Sequence, residues 1–356
     1  MRNDNIENVK TIMRIIGSPF NNPEYTGLDT YDLTELYGIA KKNKIGLLYL
    51  ESLGTKHIND KLCTELNRQR EKYNSLRVTN KRAADVLNNS GCKYAIVKSN
   101  YPFRTVPNDV DVLILGGNDE YRNAIESMKA NYFEPVGGEA PLEMCLHDTT
   151  RGKHNDPSNK FTLKDEFDVD VYKEVGAGHI IYMNKKKLIN QISEIHIENT
   201  TIKVLKMPGE MALGIFHSIY PERLYTLLLH FHILYTIKDM NSAEVDDFLQ
   251  TCDEHKMHNA VLTALSLTEI IEEMCFGQSP SKVTELREAF GKQKRIKIDR
   301  IPYLYPMRAV LNSFWGKRND LVFTISMMRQ IISMLNPNYL MYVSKVYKER
   351  NIRDTY

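Results

Sequence analysis

Residues 93–117 read KYAIVKSNYPFRTVPNDVDVLILGG, and their pattern decides the fold. Tyr94-Ala95-Ile96-Val97 is an apolar run that ends at Lys98-Ser99. A second run (Val110, Val112, Leu113, Ile114, Leu115) carries Asp109 and Asp111, two residues apart. Apolar runs of this length, bounded by Gly91 and by Gly116-Gly117, read as two buried strands. Residues i and i+2 of a strand project to one face, roughly 6.5 Å apart. Two carboxylates held that way on a buried strand cost desolvation energy unless a partner neutralises them. A hard divalent cation suits such a pair, bound through one or two carboxylates plus substrate phosphates. The pattern therefore implies phosphoryl-transfer chemistry.

The residues between the two runs extend this reading. Lys98-Ser99 follows a strand, where a small residue lets backbone N–H groups approach a phosphate. Lys98 reads equally well as a solvated strand end. Pro102 and Pro107 confine the segment, and Arg104 is suited to a carboxylate or to a phosphate oxygen. A two-metal site needs a further carboxylate for the cation that activates the attacking oxygen. Phe167-Asp168-Val169-Asp170-Val171-Tyr172 repeats the D-V-D spacing. Asp170 is preferred over Asp168 because Val171 and Tyr172 continue the strand beyond it, while Asp168 lies nearer the charged Lys164-Asp165-Glu166. Three clustered carboxylates repel, so at least one is expected to have a raised pKa without metal.

Composition sets the frame. The chain has 356 residues, enough for two or three domains, with 42% hydrophobic and 26% charged residues, as in ordinary globular proteins. A net charge of +2 identifies no partner. Cys63, Cys92, Cys145, Cys252 and Cys275 are scattered without C-x-x-C, which predicts reduced thiols in a cytoplasmic protein. The most apolar stretch, Leu321 to Leu335, contains Arg329, and MRNDNIENVK lacks an apolar signal core. No membrane association is expected.

Along the chain, residues 1–90 read as helical. Asp29 or Thr30 is placed to cap a helix with Leu33, Leu36, Ile39 and Ala40 on one face. A longer helix is expected from Asn59 to Asn89, ended by Ser90-Gly91. From Gly91 the period becomes two. Expected strands are Lys93–Val97, Asp109–Leu115, Tyr132–Val136, Leu142–His147, Phe167–Lys173, Glu194–Glu198 and Thr201–Leu205. A helix from Asp119 to Ala130, capped by Asn118, separates the second from the third. Asp148 to Asn159 reads as an exposed loop. After Met207-Pro208 the helical period returns for about six helices, with Pro208 and Pro221 at first turns and a break near Ile301-Pro302 and Tyr305-Pro306. The expected class is α+β: a helical region (1–90), a mixed-sheet catalytic domain (91–206) and a helical domain (207–356).

A strand, a small-residue pair, a short spacer, Asp-x-Asp on a strand and a later carboxylate resemble the polymerase-β-type nucleotidyltransferase superfamily. More narrowly, the chain resembles an uncharacterised nucleotidyltransferase family within it. LDTYDLTELYGIAKKNKIGLLYLESL (28–53) resembles that family's opening helices. Lys98-Ser99 matches its Lys-Gly, Arg104 its following arginine, and DVDVYKE (168–174) a strand ending Asp-aliphatic-His, with Tyr172 in place of the histidine. PGEMALGIFHSIYPERLYTLLLHFHILYTIKDM (208–240) is similar to its C-terminal helices and contains His217, Arg223 and Asp239. The resemblance spans residues 25 to 245. It implies a polymerase-β-type mixed sheet flanked by helical regions and transfer of a nucleoside monophosphate from a triphosphate such as ATP. It implies Asp109, Asp111 and Asp170 as catalytic and metal-holding residues for two Mg²⁺ or Mn²⁺ ions. Lys98, Ser99 and Arg104 are implied to bind nucleotide. The acceptor is left open, RNA among the candidates. Serine in place of glycine at 99 narrows the phosphate approach, and the Lys98–Asp109 spacer is shorter than in many relatives. Two alternatives stand beside this reading: an RNA-modifying toxin or defence nucleotidyltransferase, and a catalytically degenerate nucleotide-binding member.

Other features carry plainer readings. His217, His230 and His232 lie in an apolar helical stretch and read as packed histidines. His147, His154 and His179 lack a metal-ligand rhythm. Tyr303, Tyr305, Phe314, Trp315, Met327 and Met328 read as core packing. The basic run Lys292, Lys294, Arg295, Lys297, Arg300 and Arg308 reads as a solvated loop. Interleaved with Tyr303 and Tyr305, it also fits a nucleic-acid track.

Overall fold

In the computed structural model, the described residues are 2–24, 27–54, 57–107, 109–136, 140–151, 168–341 and 343–344. Phe167, His154 and residues 152–159 of the expected loop lie outside them. Four helices open the chain: α1 (Arg2–Ile16), α2 (Leu33–Lys42), α3 (Gly46–Leu53) and α4 (Asp60–Asn89). The cap of α2 is Asp32, whose carboxylate accepts from the N–H groups of Thr34 and Glu35, rather than Asp29 or Thr30, which lie in a separate 3₁₀ turn. The reason is register: the carboxylate must sit two or three residues before its donors. Asn59 caps α4 through the N–H of Leu62, and Gly91 at φ 69° follows its end.

The middle of the chain builds the sheet. β1 (Tyr94–Val97) and β2 (Val110–Ile114) precede α5 (Asn118–Ala130), followed by β3 (Phe133–Pro135), β4 (Glu143–Asp148) and β5 (Asp168–Tyr172). Gly117, not Asn118, caps α5, and no side chain bonds that end. At Gly116 a Cβ would meet the Glu120 side chain, which would have to shift. A hairpin that the sequence pattern does not reveal follows, β6 (Val175–Ala177) and β7 (Ile180–Met183), then a single helical turn α6 (Lys185–Leu188), β8 (Ile192–Ile197) and β9 (Thr200–Leu205). Seven strands form one mixed sheet in the order β3-β4-β5-β2-β1-β9-β8. β2 runs parallel to β5 and antiparallel to β1, and β1 runs parallel to β9. The alternation of side chains divides the core. Tyr94, Ile96, Val110, Val112 and Ile114 pack with α4 and α5. Ala95, Val97, Leu113 and Leu115 pack on the other face with the helical regions.

Among the described residues that remain, most are helical, apart from two short strands and the irregular stretch 291–302. α7 (Met207–His217) carries Pro208 in its first turn. Pro221, however, sits inside a π-helical turn (Ser218–Glu222), where the wider i→i+5 spacing accommodates a residue without an N–H. β10 (Leu224–Tyr225), α8 (Leu227–Asp239), α9 (Ser242–Glu254), α10 (His258–Phe276) and α11 (Ser281–Phe290) follow. β11 (Tyr303–Leu304) then pairs antiparallel with β10 near the proline-marked break. α12 (Met307–Gly316) and α13 (Leu321–Met334) follow, and residues 337–341 and 343–344 are again helical. α13 returns to β7, where Ser326 Oγ accepts from the Ile181 N–H at 2.9 Å. The expected core role holds for Tyr305, which is fully buried, but Trp315 and Met328 are 69% and 63% exposed. α12 and α13 each bury one face, through Val310 and Ser313 and through Phe323 and Ser326, and these two side chains lie off it. No helix among the described residues is long and apolar enough to cross a membrane.

Candidate active site

The site forms where β1, β2 and β5 lie side by side. Val97 is level with Asp111, and Asp111 is level with Asp170. Continuing the β2–β5 register by one step brings Asp109 alongside Asp168. Strand parity thus places the two D-V-D segments on one face of the sheet. Asp168 is engaged by His147, whose Nδ1 lies 2.9 Å from its Oδ1 in a buried pair. That arrangement leaves Asp170 as the carboxylate beside Asp111, the position preferred from the sequence.

Lys98 closes the cluster. Its backbone is left-handed, φ 54°, which turns the chain just past β1. Its Nζ then lies 2.7 Å from Asp111 Oδ1 and 4.9 Å from the centroid of the Tyr172 ring. Burial pushes the Asp111 carboxyl up to about 7, with Lys98 opposing and the Asp109 and Asp170 charges adding to the rise. Burial is the larger cause, and the expected repulsion of clustered carboxylates is the smaller one. Ser99 donates its hydroxyl to the Val97 carbonyl at 3.2 Å. Arg104 does not join the group. Its Nη1 meets Glu51 at 3.1 Å, its side chain is 56% exposed, and its guanidinium faces the Tyr73 ring.

The opposite wall comes from the C-terminal helices. Glu210, in the first turn of α7, is 2% exposed. The backbone amides of Lys98 and Ser99 face its carboxyl. Burial raises it to about 8, those amides and the Lys98 charge opposing and Asp111 adding. Beyond it, His217 Nδ1 pairs with the Tyr182 hydroxyl at 3.0 Å, and Glu222 lies 2.8 Å from Lys44 Nζ. Burial lowers His217 to about 4, helped by Lys98, so it is neutral at physiological pH. A small pocket, partly open to solvent, borders Lys98 and is lined by Val97, Leu113, Tyr172, Tyr182 and Leu213. Glu210 escapes the sequence reading, although a lone acid in the apolar stretch MPGEMALGIF was a signal. Tyr182 lies on the undetected hairpin.

Glu210 makes stability pH-dependent. The folded chain holds its proton up to about 8, whereas the free carboxyl loses it near 4.5. The folded state therefore binds more protons between these values, and stability is lost as pH rises through that window. Glu210→Gln is expected to flatten the decline in urea midpoint between about pH 5 and 8. Equal slopes in the two proteins would show that Glu210 ionises normally in the fold.

Asp109, Asp111 and Asp170 are the residues from which a metal site was expected. Among the described residues, no group of three His, Cys, Asp or Glu side chains is arranged for ligation. All three aspartates offer carboxylate oxygens, the donor type that a hard cation takes. The basic run after α11 is a poorer surface for bases than its sequence promised. Tyr305 is buried, with its hydroxyl 3.3 Å from Ser218 Oγ, and only Tyr303 of the pair reaches solvent. No protein-family model and no curated protein matches the chain.

Proposed function

We propose that the protein is a metal-dependent nucleotidyltransferase of the polymerase-β type, moving a nucleoside monophosphate from a triphosphate to a hydroxyl or amine acceptor. The observation that carries this reading is the register that sets Asp170 beside Asp111 on one sheet face, with Lys98 bridging back from the preceding strand end. Asp109, Asp111 and Asp170 would hold Mg²⁺ or Mn²⁺, and the bound cation supplies charge stabilisation for the phosphates. Asp170 orients the acceptor and takes its proton. The neutral His217 with Tyr182 borders the cleft without adding charge. Arg104 stands outside the cluster, paired with Glu51.

A binding-only protein is the second reading, favoured by the ion pair that Lys98 makes on Asp111. The two separate in one assay. The protein is incubated with each α-labelled triphosphate, Mn²⁺, and total cellular RNA or protein. Label appearing on a macromolecule, and absent with the Asp109→Ala, Asp111→Ala variant, supports transfer and names the acceptor class. Binding of triphosphate without any labelled product supports the second reading.

A further inference from the structure

The helix α13 has an inner face that docks on the protein and an apolar outer face that nothing among the described residues covers. The inner face carries Phe323 and Ser326, both buried, and Gln330, whose side-chain oxygen accepts from the His179 N–H at 2.9 Å. It sits on β7 through the bond from the Ile181 N–H to Ser326 Oγ. At 3.6 residues per turn, Leu321, Ile325, Met328, Ile332 and Leu335 fall on the opposite side of the helix from Phe323 and Gln330. These five residues are between 44% and 80% exposed. A helix that is hydrophobic all round is ordinarily buried all round. The sequence of residues 345–356, KVYKERNIRDTY, is unsuited to cover such a stripe, because six of its twelve residues are charged.

The spacing of the stripe identifies its cover. Steps of four, three, four and three residues are the a/d seam of a heptad repeat. Ile325 and Ile332 occupy a, and Leu321, Met328 and Leu335 occupy d. β-branched residues at a with Leu at d favour two parallel strands. The flanks agree with that arrangement. Arg329, at position e, is the one charged residue of α13. In a parallel pair each g position faces the partner's e position five residues on, so Arg329 would lie beside the partner's Thr324 and not beside a second arginine. Size agrees as well. Together with Ile331 at g, also exposed, the stripe offers on the order of 600 Å² per copy. A symmetric pair would then bury about 1,200 Å², which reaches the lower end of stable interfaces.

We propose that the protein is a two-fold symmetric dimer in which α13 of one copy pairs in parallel with α13 of a second copy along Leu321, Ile325, Met328, Ile332 and Leu335. The same stripe serves both copies, so the contact closes on itself and leads to a dimer and not a filament. The inference does not rest on the proposed reaction.

The test is sedimentation velocity on the full chain over a series from about 0.1 to 100 μM. Wild type is expected to dimerise with a Kd on the order of 1–10 μM. The double variant Met328→Glu, Ile332→Glu places like charges in the seam. It is expected to stay monomeric throughout, at least a hundredfold weaker, with unchanged circular dichroism because both positions are exposed. Thr324→Glu is expected to tighten the dimer about threefold at low salt by pairing with Arg329 across the seam. If the double variant fails to fold, Leu335→Lys at the helix end replaces it, with about tenfold weakening expected. A wild type that is monomeric at the highest concentration overturns the inference, as does a dimer that the seam variants leave intact. Unchanged or weaker association of Thr324→Glu overturns the parallel seam. A monomeric wild type that co-sediments with phosphatidylglycerol vesicles would assign the face to a membrane surface and overturn the dimer.

Discussion

Asp111→Asn is expected to lower nucleotide transfer by about a thousandfold or more, roughly 4 kcal/mol of lost transition-state stabilisation. The position is the centre of the site. It is level with Val97 on one side and with Asp170 on the other, and it takes the Lys98 ammonium. Asparagine keeps the shape of the side chain and most of its packing, so the variant separates charge from volume. Asp170→Asn is expected to cost as much, because in the proposed reaction Asp170 would share both the cation and the acceptor proton. Asp168→Asn should behave differently. Its carboxylate is held by His147 in a pair excluded from water, so the change should lower the urea midpoint while transfer falls far less. Rates for the three purified variants, beside their urea midpoints, check the ranking. An Asp168 variant that loses transfer at wild-type stability would move the third carboxylate to position 168.

Glu269→Ala is expected to destabilise the protein by about 3–5 kcal/mol without touching the site. Glu269 lies on α10 at 1% exposure and accepts from Arg287 Nε at 3.0 Å. Arg287, on α11, also donates to the Gly291 carbonyl, so the guanidinium ties two helices and the chain beyond them. Removing the carboxylate leaves that guanidinium buried with its main counter-charge gone. Replacing both members with Met should recover much of the loss, since an apolar pair of similar volume needs no compensation. The exposed pair Lys297–Asp299, its lysine side chain 87% exposed, is the contrast, and its removal should change stability little. Chemical denaturation of the four proteins reads these differences directly. A Glu269→Ala loss below about 1 kcal/mol would mean that water reaches the pair.

Much of the fold was legible because strand signals here are local. Tyr94–Val97 and Val110–Ile114 are β-branched and aromatic runs with glycines outside them, and their spacing alone places both in the sheet. The long helix α4 carried its own start in Asn59 and its own stop in Ser90-Gly91. The hairpin of β6 and β7 was not legible. Val175-Gly176-Ala177 has too little side-chain alternation to announce a strand, and β7 is held by α13 from far along the chain. The helix caps at Asp32 and Gly117 were misplaced by one to three residues, as geometry and not composition selects the donor.

The site divides along the same line. That Asp109 and Asp111 share a face follows from the period of two, and the repeat at Asp168 and Asp170 brings the second pair to the same face. The reach of Lys98 to Asp111 needs a left-handed residue, which no sequence pattern signals for a lysine. Arg104 was drawn away by Glu51 of α3, a partner supplied by tertiary folding. Glu210 arrives from a helix that follows the whole sheet, so only the folded chain shows it facing Lys98 and Ser99.

The most direct measurement compares two labels. Wild-type protein is incubated with cellular RNA or protein, Mn²⁺, and one triphosphate carrying label at either the α or the γ phosphorus. The account predicts that the α label becomes attached to an acceptor while the γ label leaves as pyrophosphate. Attachment of the γ label, or of neither label with any of the common triphosphates, would contradict it.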